Sequence, residues 1–456
     1  MTILFLSTAR AEVSLTTLVS FTNDDNGAVP AAGLVQGLDG AFYGTTEFGG
    51  ASGCGTLFRI DSTGAFSNLL SFTGTGGNYP GANPAAGLIL GADGSLYGTT
   101  QNGGANNDGT VFELTPAGGF TSLVSFSGTA GAWLGAGPAG SLVWGTNGAL
   151  YGTTQFGGTN DVGNSGDGTV FELTTNGIFT SLVSFTGTNG ACPGANPAAG
   201  LVRGRDGFFY GTTTAGGTND LASYGDGTVF RMTATGALEN LFSFNDAVNG
   251  SSPQAGLTED AQGNFYGTAS GGELSLGTIF KMASSGVLTV LVMFNSDNGA
   301  NPEGRLVQGP DNNFYSTTRT GGQNNDGTIF QITPAGALTT LISFGGTNGA
   351  YPVAGLTPGT DGNWYGTTAA GTSAPRGTVF RLPPPPAFLG AWQTSQALHF
   401  AWSSATGQIY QVQFTTNLDS INWINLGSPI GATNASTSTS DSTGSGPQRY
   451  YRVGLQ

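Results

Sequence analysis

The chain has 456 residues, 80 of them glycine, with 9% charged residues, a formal net charge of −15 and a pI near 4.1. Lys+Arg total 12, and Lys281 is the single lysine, so there is no basic surface to hold phosphates, and neither nucleic acid nor an anionic membrane is an expected partner. His399 is the single histidine, which removes Ser-His-Asp triads, Cys-His pairs and His-rich metal sites from everything before it.

Residues 1–11 end in Ala9-Arg10-Ala11 after a short apolar stretch, which reads as the remnant of an export signal whose start is missing. No stretch approaches the ~20 apolar residues a spanning helix needs, so no membrane insertion is expected. Leu15 to Phe21 is rich in β-branched and apolar residues and predicts a strand. The pattern Tyr-Gly-Thr-Thr then begins at Tyr43, Tyr97, Tyr151, Tyr210, Tyr266, Tyr315 and Tyr365, with Ala269 and Ser316 as lapses. The spacings are 54, 54, 59, 56, 49 and 50 residues. A period near fifty, punctuated by glycine and aromatics, marks a propeller or solenoid.

Three further runs accompany each copy: Ala-Ala-Gly-Leu-Val or a variant before it, Gly-Thr-(Val/Ile/Leu)-Phe after it, and Leu-Val-Ser-Phe or a variant last. Asp39-Gly40, Asp93-Gly94, Asn147-Gly148, Asp206-Gly207 and Asp361-Gly362 lie between the first two runs and suit tight hairpins. Four short strands in each of seven repeats predict an all-β fold, a seven-bladed β-propeller over residues 12–382. The chain starts on a fourth-run strand and the repeats stop on a third-run strand, Gly377 to Leu382. The N-terminal strand is therefore expected to complete the last blade and remove both open edges. Donated to a neighbouring molecule, the same strand would give self-association. Cys54 and Cys192 fall at non-equivalent places and are expected to be unpaired.

Pro383 to Pro386 read as a stiff spacer, and residues 387–456 as a small fibronectin-III-like or Ig-like β-sandwich. Its strands are expected at Ala397–Trp402, Ile409–Thr415, Trp423–Leu426 and Arg449–Val453, around Trp402, Tyr410, Trp423 and Tyr451. Thr433 to Ser445 reads as a Ser/Thr-rich loop, and His399 as a structural residue.

The long loops, from run four to run one and from run two to run three, share one end of such a fold, and loops of this kind carry binding residues. A column before the loop proline reads Val29, Tyr79, Trp133, Cys192, Ser252, Asn301 and Tyr351. Tyr79, Trp133 and Tyr351 could form a stacking rim for a sugar or peptide, joined by Phe48 and Phe156 from a second column. The Gly-rich loops before run three carry Asp108, Asp167, Asp226 and Asp326, a weak calcium pattern, because each supplies one carboxylate where Ca²⁺ takes six to eight oxygens. No nucleophile elbow or phosphate loop is present, and no catalytic residues are assigned.

The consensus Gly-Leu-x-x-Gly-x-Asp-Gly-x-x-Tyr-Gly-Thr-Thr, then Gly-Gly, Gly-Thr-Val-Phe and Leu-x-Ser-Phe, resembles the GloVer tandem repeat of choice-of-anchor proteins. That resemblance spans residues 14–382 and implies an exported bacterial protein, secreted or at the cell surface, without catalytic residues to carry over. The expected function is a non-enzymatic binding or adhesion scaffold for extracellular glycans or proteins. Two alternatives stand beside it: a carbohydrate-active hydrolase or lyase using Asp and Tyr residues of the long-loop end, and a structural subunit of an extracellular fibre or surface layer.

Overall fold

The computed structural model describes residues 14–22, 25–160, 166–188, 190–218, 225–272, 276–371, 376–417, 422–442 and 449–456. The expected export-signal remnant, 1–11, lies outside them. Between Thr16 and Leu382 the described residues form seven four-stranded antiparallel sheets. Sheets 1 to 6 each use four consecutive strands; sheet 1, for example, runs Val35–Gln36, Phe42–Thr46, Thr56–Ile60 and Phe66–Ser71. Sheet 7 takes Thr357–Pro358, Trp364–Thr368 and Thr378–Leu382 from the end of the repeats, and its fourth strand is Thr16–Ser20 from the start. Among the described residues the single helix is Asp246–Asn249, and no helix is long and apolar enough to cross a membrane.

Every position of Tyr-Gly-Thr-Thr has a packing reason. The tyrosine ring stacks on the residue that precedes the tyrosine in the next sheet: Tyr151 on Phe209 at 4.3 Å, Tyr210 on Phe265 at 4.0 Å, Tyr266 on Phe314 at 4.1 Å. The last such pair, Tyr365 on Phe42 at 3.9 Å, joins sheet 7 to sheet 1. The tyrosine hydroxyl donates to the Asp of the hairpin turn in four sheets, as in Tyr210 to Asp206 at 2.6 Å and Tyr315 to Asp311 at 2.8 Å. In two others it donates to a third-strand glutamate, Tyr97 to Glu113 and Tyr151 to Glu172. The glycine lets the third-strand Phe lie against the backbone, since a Cβ on Gly152 would stand 2.4 Å from Phe171 Cζ.

The first threonine bridges sheets. Thr153 donates to the Ala199 carbonyl at 2.9 Å and Thr367 to the Ala32 carbonyl at 3.1 Å, again tying sheet 7 to sheet 1. The second threonine pairs hydroxyl to hydroxyl with the third-strand threonine at 2.8 Å in sheets 1, 2, 3, 4, 6 and 7. These interactions satisfy hydroxyls that are almost fully buried, where a lone one would cost about 1–3 kcal/mol.

Residues 387–456 form two sheets over one core. One has three strands, Phe388–Gln393, Leu398–Ser403 and Ser436–Asp441; the other pairs Ile409–Thr415 with Ile424–Asn425, Ile430–Gly431 and Tyr450–Leu455. Leu398, Phe400 and Trp402 from the first meet Tyr410, Val412 and Tyr451 from the second. Three expectations are corrected. Ser436–Asp441, read as loop, is a strand, because alternate small hydroxyl residues fit a half-buried ladder beside Leu398–Ser403. Trp423 is half-buried under the Arg452 guanidinium, 4.4 Å from its ring centre, and is not core. Pro383 and Pro384 are buried, so the proline run is packed rather than a free spacer. The module touches the hairpin turn of sheet 7, where Thr406 N donates to the Asp361 carbonyl at 2.9 Å. His399 lies flat on Trp392, with ring centres 5.3 Å apart, in keeping with a structural role, and both cysteines are free.

Candidate functional site

The two ends of the repeat sheets differ. One end carries the tight turns, closed by pairs such as Gly40 N to the Gly37 carbonyl at 3.0 Å. The other carries the long loops, and there a ring of main-chain bonds links each sheet to the next. Asn83 N bonds the Cys54 carbonyl, Asn196 N that of Asp167, Tyr351 N that of Asp326, and Val29 N that of Arg376.

This ring corrects the proposed aromatic column. Its true members are Val29, Asn83, Gly137, Asn196, Ser252, Asn301 and Tyr351. Tyr79, Trp133 and Cys192 sit four positions earlier, in an extra loop that sheets 2, 3 and 4 carry, where their carbonyls accept from Thr73, Ser127 and Thr186. Two of those repeats contain two candidate prolines, Pro80 and Pro84 in one and Pro193 and Pro197 in the other, and the ring uses the second. Tyr79 is half-buried, edge-on to Phe120 at 5.4 Å. Phe48, Trp133, Phe156 and Tyr351 are 42%, 40%, 40% and 38% exposed at the long-loop end. Phe48 and Phe156 occupy equivalent places, held by bridges to Ala28 and Ala136.

The four aspartates occupy one equivalent position in four different sheets and do not converge. Asp167 is fully buried and accepts from Asn160 Nδ2 at 2.8 Å, and Asp226 accepts from Asp246 N at 2.9 Å. Burial pushes the Asp108 carboxyl up from its ordinary value. Among the described residues no three His, Cys, Asp or Glu side chains come together as a metal site.

Residues in or just before the first strand of each of the seven sheets line a central cavity of about 1130 Å³. Its long-loop mouth holds Glu47, Gln101, Gln155 and Arg319, and the next level holds Gln254 and Glu303. Arg319 Nη1 lies 3.2 Å from Glu303 Oε1. Burial raises the Glu47 carboxyl above its ordinary value. One level deeper the residues are Gly33, Gly87, Ser141, Gly200, Gly256, Arg305 and Gly355. Backbones approach closely here: a Cβ on Gly200 would stand 2.2 Å from the Ser141 carbonyl, and one on Gly355 2.3 Å from that of Arg305. Arg305 is the one charged side chain at this level, and its Nε donates to Thr258 Oγ1 at 3.1 Å. The surrounding protein draws its guanidinium below the usual arginine value, while the side chain remains open to water in the cavity. Sequence reasoning missed Arg305, although its register was readable: it stands where five other repeats carry glycine after the loop proline.

Residues 3–222 and 202–423 match the Gloeobacter/Verrucomicrobia repeat, so the chain belongs to that family. No curated protein is significantly similar to the sequence. Among solved structures, puromycin hydrolase superposes with a TM-score of 0.49 at 13% identity, over 86% of this chain and 62% of the hydrolase. Luciferin-regenerating enzyme superposes with a TM-score of 0.40 at 11% identity, over 65% of this chain and 90% of that enzyme. The chain thus spans less than two thirds of the hydrolase.

Proposed function

We propose that this member of the Gloeobacter/Verrucomicrobia repeat family is a closed seven-bladed β-propeller, secreted or at the bacterial cell surface, that binds an extracellular glycan or protein through its long-loop end. The observation that carries the reading is the set of exposed rings Phe48, Trp133, Phe156 and Tyr351, presented by long loops while the opposite end has only tight turns. Aromatic faces on a rigid scaffold suit stacking against sugar rings or a peptide. The C-terminal module, as a fibronectin-III-like sandwich, would serve as a spacer or second contact. Calcium would act only through Asp108, Asp167, Asp226 and Asp326, one loop at a time. The test is binding to an array of neutral and acidic polysaccharides, with wild type beside a variant carrying alanine at Trp133, Phe156 and Tyr351. A loss of tenfold or more supports the reading, and unchanged binding removes it.

One feature favours a second reading. Glu47 combines a raised pKa with a place at the mouth of the cavity, the combination expected of a general acid. Release of reducing ends from any polysaccharide by wild type but not by Glu47→Gln would make the chain a carbohydrate-active enzyme.

A further inference from the structure

The seven repeats are internal references for one another, and four departures from the common pattern fall at one junction. At the inner end of sheets 5 and 6, Ala269 replaces the second threonine, Gly304 replaces alanine, Arg305 replaces glycine and Ser316 replaces the glycine of the tyrosine motif. These changes fit together. Gly304 leaves room for Ser316, whose hydroxyl donates to the Gly304 carbonyl at 2.9 Å and lies 3.1 Å from that of Arg305. Thr268, whose equivalents bond that carbonyl position in the next sheet, is left buried with no partner. The junction gives up a link that other sheets make, and a guanidinium stands on the inner wall of the cavity.

Arg305 has one protein acceptor, Thr258 Oγ1, for its Nε. Among the described residues it has no carboxylate within ion-pair distance, while Glu303 is engaged by Arg319. Its terminal N–H groups therefore face the cavity with a fork geometry that matches a carboxylate. Five of the other six residues at its level are glycine and the sixth is Ser141, so nothing there competes for the charge. A cavity with protein walls focuses this charge more than an open surface would.

We propose that Arg305 is an anion-binding residue that receives the carboxylate of a hydroxylated organic acid, with sugar acids as the ligand class. Three arginines line the cavity, but Arg319 is paired with Glu303, and Arg203 sits on the first strand of sheet 4 toward the tight-turn end. Arg305 alone offers its charge at its level, which in a chain of net charge −15 suits a monoanion better than a phosphate dianion. The amides of Gln101, Gln155 and Gln254 line the same cavity and suit hydroxyl groups. The site does not rest on the loop-end aromatics, and separate variants test the two.

The experiment is calorimetric titration of the full chain with D-glucuronate, its methyl ester, glucose and tri-galacturonate. Arg305→Gly restores the residue of five other repeats, and Arg305→Gln keeps a donor for Thr258 should the glycine variant fold poorly. Saturable binding of glucuronate, absent for the ester and glucose and weakened at least tenfold in either variant, is the expected result. Tighter binding of the trimer assigns the site to the end of an acidic polymer, and equal or weaker binding assigns it to the free acid. Lack of saturable glucuronate binding to the wild type, or equal binding by a folded variant, overturns the proposal.

Discussion

Six of the seven motif tyrosines are buried, five of these donate to a carboxylate, and that arrangement makes stability depend on alkaline pH. Burial, followed by the Asp206 hydrogen bond, pushes Tyr210 up to about 12 from its ordinary 10.0. Tyr97, Tyr315 and Tyr365 move in the same direction, chiefly through burial. A folded pKa above the unfolded one means a stabilising contribution that is complete below pH 10 and is lost as pH rises toward 12. The melting temperature should therefore fall across that window, and Tyr210→Phe should lower it at pH 8 while reducing its slope above pH 10. A slope identical to wild type would count against Tyr210 as a contributor. The glycine of the same motif makes a second residue-scale prediction. Gly152→Ala drives a methyl into Phe171 and should cost about 1–3 kcal/mol by thermal melting. The natural serine at position 316 places its hydroxyl in the space Gly304 leaves, where it donates to the Gly304 carbonyl. Periodicity alone exposes the motif, but not which of its lapses compensate one another, because that depends on contacts between first and second strands.

At the scale of elements, strand identity was readable from the chain because inner positions alternate with turns at fixed offsets. The register of the long loops was not. Sheets 2, 3 and 4 insert a turn closed by bridges such as Gly74 to Gly81, so in sheets 2 and 4 two prolines compete for one structural place, and Tyr79 was aligned with Tyr351 in error. The strand Ser436–Asp441 was missed for a related reason: its Ser and Thr residues carry little hydrophobic signal, and it is fixed by pairing with Leu398–Ser403. The N-terminal strand was legible because the repeats begin and end out of phase. It pairs with Thr378–Leu382 from Thr16 to Ser20, and Phe21 beyond it is fully buried, 5.4 Å from Phe58. Phe21→Ala should cost about 3–5 kcal/mol. Deletion of residues 14–21 should go further and yield aggregates or strand-exchanged oligomers on size exclusion with light scattering, since an unpaired edge invites a partner. A monomeric deletion protein with the wild-type melting temperature would show that this strand does not hold sheet 7.

At the scale of the whole molecule, the repeats and the C-terminal module meet at one hairpin turn, and the other turns supply the control. Gly207 and Gly362 have φ values of 88° and 84°, a conformation that resists any side chain. Alanine at either place should cost about 1–2 kcal/mol for that reason alone. The surroundings differ. A Cβ on Gly207 meets nothing within 4 Å, whereas one on Gly362 would stand 2.2 Å from the Ser404 carbonyl and 3.1 Å from Ala435 Cα in the module. Gly362→Ala should therefore also push the module off the turn and break the bond from Thr406 N to the Asp361 carbonyl. Small-angle scattering should report a longer maximum dimension for Gly362→Ala and an unchanged one for Gly207→Ala, with similar losses in the melting of the repeat sheets. The buried Pro383 and Pro384 bear on the same comparison, because a packed connection transmits the displacement where a free spacer would absorb it. Equal scattering from the two variants would place the hold on the module in that proline segment rather than in the turn.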